Sequence, residues 1–181
     1  MSGTHVVLIR GINVGGSNKV PMAALRAALT DAGLGDVRTY IQSGNVVVDA
    51  PGRTPEDVGD VVVGALASGF GVETVVVTVT GEALLAAVDD APAGFGAEPD
   101  TYHYDCAFLR PGLDAATAAG AFGVREGVDR LWAGEGVVYF RRLSAQRTRS
   151  RMSKVVSSPL YRDMTIRNWR TTTTLAGMLA G

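Results

Sequence analysis

The sequence predicts an α+β protein in which a ferredoxin-like β-α-β-β-α-β unit occurs twice, at residues 4–79 and 80–181, with largely antiparallel sheets and a C-terminal helix. Two observations support this fold class. Short apolar runs of strand length alternate with segments whose apolar residues recur at helical spacing. The predicted elements also follow one another in the split βαβ order in both halves. The halves share no residue-level repeat, so the duplication is inferred from element order alone.

The first half contains four predicted strands, His5–Arg10, Val37–Ile41, Val46–Val48 and Glu73–Val79. Pro21 opens the first helix, because its fixed φ suits a first helical position, and Gly33 ends it. Thr54 and Pro55 open the second helix in the same way. Residues 42–45 (QSGN) have the composition of a tight turn, which predicts a hairpin between the second and third strands.

The second half repeats this order with an extra helix at each end. Strands are predicted at Tyr102–Leu109, Val128–Ala133, Gly136–Arg141 and Met164–Arg167. Helical segments are predicted after Thr80, at Leu113–Gly120 and from about Arg151 to Tyr161. Asn168 is expected to cap a final helix that runs through Leu179, because its side-chain oxygen can accept from a first-turn amide.

Composition restricts the classes of function. With 181 residues, 46% of them hydrophobic, the chain can bury a substantial core, and it has no apolar run long enough to span a membrane. The first residues lack the regions of a signal peptide, and the single cysteine, Cys106, cannot form an internal disulfide. A cytoplasmic location without membrane association is therefore expected. Two histidines and one cysteine make a zinc site implausible, and neither a metal nor a cofactor is predicted.

The net charge of −1 conceals an uneven distribution. Between Arg141 and Arg170 the chain has nine basic residues and one acid, Asp163. One interpretation is a local positive field that attracts an anionic partner. The other is that these arginines pair with the protein's own carboxylates. The sequence leaves both open.

The most distinctive segment is LIRGINVGGSNKVPM, residues 8–22, in which a polar, glycine-rich loop connects a strand to a helix. Glycines can turn backbone amides toward one point near a helix N-terminus, where a phosphate or carboxylate is favoured. The candidate ligand-binding residues of this loop are Arg10, Asn13, Gly15, Gly16, Asn18 and Lys19. The spacing fits neither a Walker A loop nor a dinucleotide fingerprint. Alternatively, the asparagines satisfy their own backbone and the glycines only permit the turn.

A second segment, RTYIQSGN at residues 38–45, adds further candidates. Arg38, Tyr40 and Gln42 alternate along a strand and therefore share one face. That face could line a groove, with Tyr40 stacking on a ligand and Arg38 clamping an anion. Asn45, at the end of the turn, completes this set.

A third segment, TIRNWRT, places Arg167 and Asn168 at a strand-to-helix junction. Arg167 is a candidate anion contact, because the N-terminus of the final helix lies beside it. Asn168 is a candidate ligand contact or simply the helix cap.

These three segments resemble the bacterial DUF1697 proteins, in particular through the words RGINVGG, TYIQSGN and RNW and the C-terminal SPLYRDMTIRNWRTTTTLAGML. The resemblance implies an α+β protein with two similar subdomains. It implies no activity, because the family's biochemical role is unassigned.

The leading functional hypothesis is a cytoplasmic protein that binds a phosphate-bearing ligand, a nucleotide or a nucleic-acid backbone, because donors and cations dominate all three segments while acids are absent from them. The alternative is an enzyme that acts on a small anionic or polar metabolite in a cleft between the two subdomains. In a third interpretation, the distinctive residues are purely structural. The sequence indicates no catalytic residue and no oligomeric state.

Overall fold

The computed structural model describes residues 3–180. They form two compact units. The first comprises the residues up to Leu84 together with those from Leu175 onward, and the second runs from Leu85 to Thr174. The chain therefore passes from one unit to the other twice.

The first unit is a four-stranded antiparallel sheet with helices packed on it. Its strands are β1 (Thr4–Ile9), β2 (Gly35–Tyr40), β3 (Asn45–Asp49) and β4 (Val76–Thr80), in the order β2-β3-β1-β4. Its helices are α1 (Met22–Asp31) and α2 (Pro55–Phe70), and α3 (Gly81–Asp89) follows β4 directly. The central strands β1 and β3 are rich in valine, which suits a buried strand. Val7 and Val46 pack with Leu25 of α1 and Val62 of α2 in one core.

Local signals explain where α2 begins and ends. The Thr54 side chain accepts from the backbone N–H of Asp57, and the Asp57 side chain accepts from the N–H of Thr54, which forms a capping box. Pro55 follows at the first helical position. Gly71 ends the helix in the left-handed conformation, with φ +63°, which glycine adopts without steric cost.

The second unit is also a four-stranded antiparallel sheet. Its strands are β5 (Tyr102–Leu109), β6 (Asp129–Ala133), β7 (Val137–Leu143) and β8 (Met164–Asn168), in the order β6-β7-β5-β8. The short helix α4 (Ala115–Gly120) follows β5, and the C-terminal helix α5 (Trp169–Ala180) follows β8. One face of the sheet packs Ala107, Val138 and Phe140 against Phe122 and Met152. The predicted α+β class, antiparallel sheets and C-terminal helix are confirmed.

The segment predicted as helical from Arg151 to Tyr161 is not an α-helix. It is divided into short 3₁₀ segments, Met152–Ser157 and Pro159–Asp163, which follow a third, Ser144–Arg149. Pro159 explains the break, because a proline disfavours the helical region for the residue before it. Ser158 accordingly has an extended backbone, with φ −78° and ψ 140°.

Within residues 3–180, no helix is both long and apolar enough to span a bilayer. The longest helix, α2, has 16 residues.

The hairpin between β2 and β3 depends on a glycine that lies against β1. Tyr40 pairs with Asn45, so residues 41–44 form the turn, and the Gly44 carbonyl accepts from the N–H of Ile9 at 2.8 Å. Gly44 has φ +80°, and a methyl group added there would lie 2.8 Å from the Ile9 carbonyl oxygen. This turn therefore needs glycine for both its conformation and its packing.

Replacing Gly44 with alanine is expected to destabilise the protein by about 3 kcal/mol or more. The cost of placing alanine in the left-handed conformation adds to the cost of its clash with the Ile9 backbone. Gly15 is a matched control, because it has φ +61° but nothing within 4 Å of an added methyl group. Gly15→Ala should lower the free energy of unfolding by only about 1 kcal/mol, because it adds left-handed strain without a clash. Urea denaturation of both variants measures the difference. Equal losses would show that the contact with Ile9 is unimportant.

Candidate functional site

An open depression of about 520 Å³ lies in the first unit, beside the N-terminus of α1. The residues that line it come from the β1–α1 loop, the first turns of α1 and the β2–β3 turn. They are Asn13, Lys19, Val20, Pro21, Met22, Ala23, Arg26 and Gln42. Two of these residues are cationic and none is acidic, so the depression favours a negatively charged ligand.

The glycine-rich tip of the β1–α1 loop is a small β-hairpin outside this lining. Val14 and Ser17 form a β-bridge, and the N–H of Ser17 donates to the Val14 carbonyl at 3.2 Å. Gly15 and Gly16 have φ of +61° and +81°, which is the combination that a type I′ turn requires. Both are exposed. The predicted candidates Gly15 and Gly16 therefore shape an exposed turn and are not among the residues that line the depression.

Asn13 holds the base of the loop. Its side-chain Nδ2 donates to the carbonyls of Val20 at 2.8 Å and Gln42 at 2.9 Å, while its Oδ1 accepts from the N–H of Val20 at 2.8 Å. Asn13 itself has φ +56°, a conformation that asparagine tolerates better than most residues. Its amide thus joins the loop to the β2–β3 turn and leaves no donor for a ligand.

The other two candidate asparagines of the first unit also bond to the backbone. Asn18 Nδ2 donates to the Gly11 carbonyl at 3.2 Å. Asn45 is fully buried, and its Nδ2 donates to the Tyr40 carbonyl at 3.2 Å and to Ser43 Oγ at 3.0 Å. The asparagines therefore follow the structural alternative that the sequence left open.

The positive potential in the depression comes from Lys19, Arg26 and the N-terminal end of α1. Lys19 is exposed, whereas Arg26 is half-buried and its Nη1 donates to Thr39 Oγ1 at 2.7 Å. Pro21 provides no side-chain cap, and the first turn of α1 has no acidic residue. The partial positive charge of the helix N-terminus is therefore not compensated locally.

Sequence reasoning missed Arg26. A helical arginine gives no motif of its own, and its role depends on α1 lying beside Thr39. One weak indication was present in the sequence. No acidic residue lies between Val20 and Thr30, so Arg26 has no carboxylate one turn away on its own helix with which to form an ion pair.

Arg38 and Tyr40 lie on the opposite face of β2 from Thr39, because side chains alternate along a strand. Arg38 is engaged within its own unit: its Nε lies 2.9 Å from Asp36 Oδ2, and its Nη1 donates to the Met178 carbonyl at 2.6 Å. A guanidinium is favoured near the C-terminal carbonyls of a helix. Arg38, predicted as an anion clamp, thus binds the last turns of α5, and neither it nor Tyr40 lines the depression.

Arg10 directly follows β1. Its N–H donates to the Val75 carbonyl at 2.9 Å, and its carbonyl accepts from Thr74 Oγ1. It does not belong to the lining. Of the first-unit candidates, the structure brings Asn13, Lys19 and Gln42 together at the depression.

The two remaining candidates belong to the second unit. Arg167 is only 9% exposed, and burial lowers its pKa to about 10. Its Nη1 donates to Thr165 Oγ1 at 3.0 Å and to the Ile166 carbonyl at 2.9 Å. Asn168 Oδ1 accepts from the N–H of Thr171 at 2.7 Å and so caps α5, as the sequence predicts.

Two features bear on metal binding and on nucleophilic chemistry. Over residues 3–180, no group of three histidine, cysteine, aspartate or glutamate side chains could hold a metal ion. Cys106 is fully buried, and burial raises the pKa of its thiol to about 12. The thiol is therefore neutral at physiological pH, and only a thiolate is a good nucleophile.

Asn13→Ala is expected to destabilise the protein by about 2 kcal/mol more than Asn18→Ala. Both residues have positive φ, +56° and +50°, so the left-handed strain on alanine is similar in the two variants. The Asn13 variant loses three hydrogen bonds and the Asn18 variant one, each worth about 1 kcal/mol. Thermal unfolding measures the difference. Equal melting temperatures would refute the joining role of Asn13.

Comparisons with known proteins give a family and a fold. The family model described as "Protein of unknown function (DUF1697)" matches residues 2–139, well over half of the chain. The solved structure of conserved bacterial protein SP0830 from Streptococcus pneumoniae is similar, with 27% sequence identity and a TM-score of 0.79 over 97% of this chain and 98% of that one. No curated protein matches the chain. The matched range includes both the β1–α1 loop and the β2–β3 turn, and the chain belongs to the DUF1697 family.

Proposed function

We propose that this protein is a cytoplasmic binding protein for a phosphate-bearing ligand, a nucleotide or a nucleic-acid backbone, which it takes into the first-unit depression. The observation that carries the proposal is the lining itself. Lys19, Arg26 and the uncapped N-terminus of α1 meet there, and no acidic residue lines the depression. The backbone amides at the start of α1 and the two charged side chains all favour an anion, so their effects add.

Each group has a physical role in this proposal. Lys19 is exposed and supplies a mobile point charge. Arg26 is already fixed by its bond to Thr39 at 2.7 Å. Since its orientation is set before the ligand arrives, binding orders less of the side chain. Gln42 adds neutral donors at the rim.

The depression is open, and this favours a ligand of which only the phosphate is held firmly. Phosphate contacts of this kind contribute affinity that decreases with added salt and depends little on sequence. The proposal therefore includes weak, salt-dependent binding of oligonucleotides as well as nucleotides.

We also infer that the two units are a ferredoxin-like duplication. The sheet orders β2-β3-β1-β4 and β6-β7-β5-β8 are the same when the strands of each unit are counted from its own first strand. The elements between strands also correspond, except that 3₁₀ segments follow β7 where α2 follows β3. Pro159 disfavours the helical conformation for Ser158 and so interrupts a helix within this segment.

Lys19→Gln is expected to weaken binding of ATP, and of a short single-stranded oligonucleotide, roughly tenfold, because one charge-assisted phosphate contact is lost. Lys154 is the only other lysine of the chain and is also exposed. Lys154→Gln is therefore the matched control and should bind as the wild type does. Isothermal titration calorimetry in 50 mM salt measures the affinities.

Neither variant should change the melting temperature, since both lysines are exposed. Affinity that is equal in the two variants, or that does not fall when salt is raised, would refute phosphate binding at the depression. Arg26→Gln provides a second variant: it should also lose affinity, with a small loss of stability from its bond to Thr39.

A further inference from the structure

The second unit contains a cavity of about 260 Å³ that the phosphate proposal does not use. It lies between the loop at residues 92–95 and one face of the sheet, and its walls include Phe95, Tyr104 and Trp132. Phe95 makes edge-to-face contacts with Tyr104 and Trp132, with ring centroids 4.9 and 5.9 Å apart. The walls are therefore aromatic and mutually braced.

Two arginines complete the lining. Arg130 on β6 and Arg141 on β7 occupy directly opposite positions of the antiparallel pair. Like charges placed in this way repel one another. Neither arginine forms an ion pair with any carboxylate between residues 3 and 180. An anion between them would remove the repulsion.

Aromatic rings hold both guanidinium groups in place. Arg141 Cζ lies 4.1 Å from the Tyr102 ring centroid, and Arg130 Cζ lies 4.9 Å from that of Trp132. Stacking of this kind fixes the guanidinium plane and leaves its edge N–H groups available as donors.

Tyr104 provides an independent observation. The residue is only 6% exposed, and its buried hydroxyl has no hydrogen-bond partner in the part of the chain that the structure describes. Buried polar groups are nearly always bonded, because an unsatisfied one is destabilising. The Tyr104 ring lines the cavity, and its unbonded hydroxyl indicates that a hydrogen-bond partner is missing there.

We propose that this cavity binds a small planar aromatic anion. The ring of the ligand packs against Phe95 and Trp132, and its carboxylate or phosphate lies between Arg130 and Arg141. The Tyr104 hydroxyl donates a hydrogen bond to the ligand. The volume is below the range of about 300–1,000 Å³ that is typical for drug-sized ligands, so the aromatic part consists of one ring or two fused rings.

Calorimetric titration with four probes tests the ligand class: indole-3-carboxylate, 3-indoxyl phosphate, inorganic phosphate and indole. At least one of the two aromatic anions should bind at least tenfold more tightly than phosphate alone or indole alone, because ring and charge are both recognised. Whichever of the two aromatic anions binds more tightly shows whether the anionic group is a carboxylate or a phosphate. If neither binds, or if the separate parts bind as tightly as the joined ones, the proposal is wrong.

Tyr104→Phe separates a binding role from a structural one. It removes only the unpartnered hydroxyl, so the melting temperature of the free protein should stay the same or rise while affinity falls about fivefold to tenfold. Arg130→Gln should also weaken binding without unfolding the protein, because it relieves the repulsion. Arg147→Gln, an exposed arginine outside the lining, is the matched control. A lower melting temperature with unchanged affinity for Tyr104→Phe would refute the proposal.

Repeating the titrations with Lys19→Gln distinguishes this cavity from the first-unit depression. Binding that persists in Lys19→Gln and weakens in Tyr104→Phe belongs to the cavity. Binding lost in Lys19→Gln and retained in Tyr104→Phe supports the phosphate proposal and counts against this one.

Discussion

The amide of Asn13 is the interaction on which the first-unit site depends. Through three hydrogen bonds it connects the base of the β1–α1 loop to Val20 and to the β2–β3 turn at Gln42, 29 residues away in sequence. Val20 lies two residues before Met22, the first residue of α1, so the same contact also fixes the position of the helix N-terminus. Lys19 lies within this bonded segment. One neutral side chain thus determines the place at which the positive groups meet.

How much the sequence could predict depends on whether a feature is local. The strands, α2 with its Thr54 cap and the final helix with its Asn168 cap follow from short-range patterns. The bond from Arg38 to the Met178 carbonyl spans 140 residues, and no motif signals such a contact. The same holds for Arg26, whose role depends on a helix meeting a strand. Asparagines in a glycine-rich loop suggested ligand contacts, but three hydrogen bonds satisfy the Asn13 amide internally.

The charge distribution of the second unit combines both interpretations that the sequence left open. Arg142 lies 3.4 Å from Asp105, and Arg162 lies 3.4 Å from Asp163. Burial raises the pKa of Asp105, and the nearby Arg142 offsets part of that effect. By contrast, Arg141 is held by aromatic rings, and Arg147 is exposed. The arginines of this segment therefore divide into groups that pair with the protein's own carboxylates, such as Arg142, and groups that are stacked on a ring or exposed, such as Arg141 and Arg147.

The concealed thiol of Cys106 has a practical consequence for studies in solution. It is the single cysteine of the chain and is fully buried in the folded protein. A cysteine introduced at an exposed position, for example by Ser17→Cys at the tip of the loop hairpin, would be the one readily accessible thiol. A fluorophore or spin label could then be attached there without first deleting the native residue, and its signal would report from a single known point.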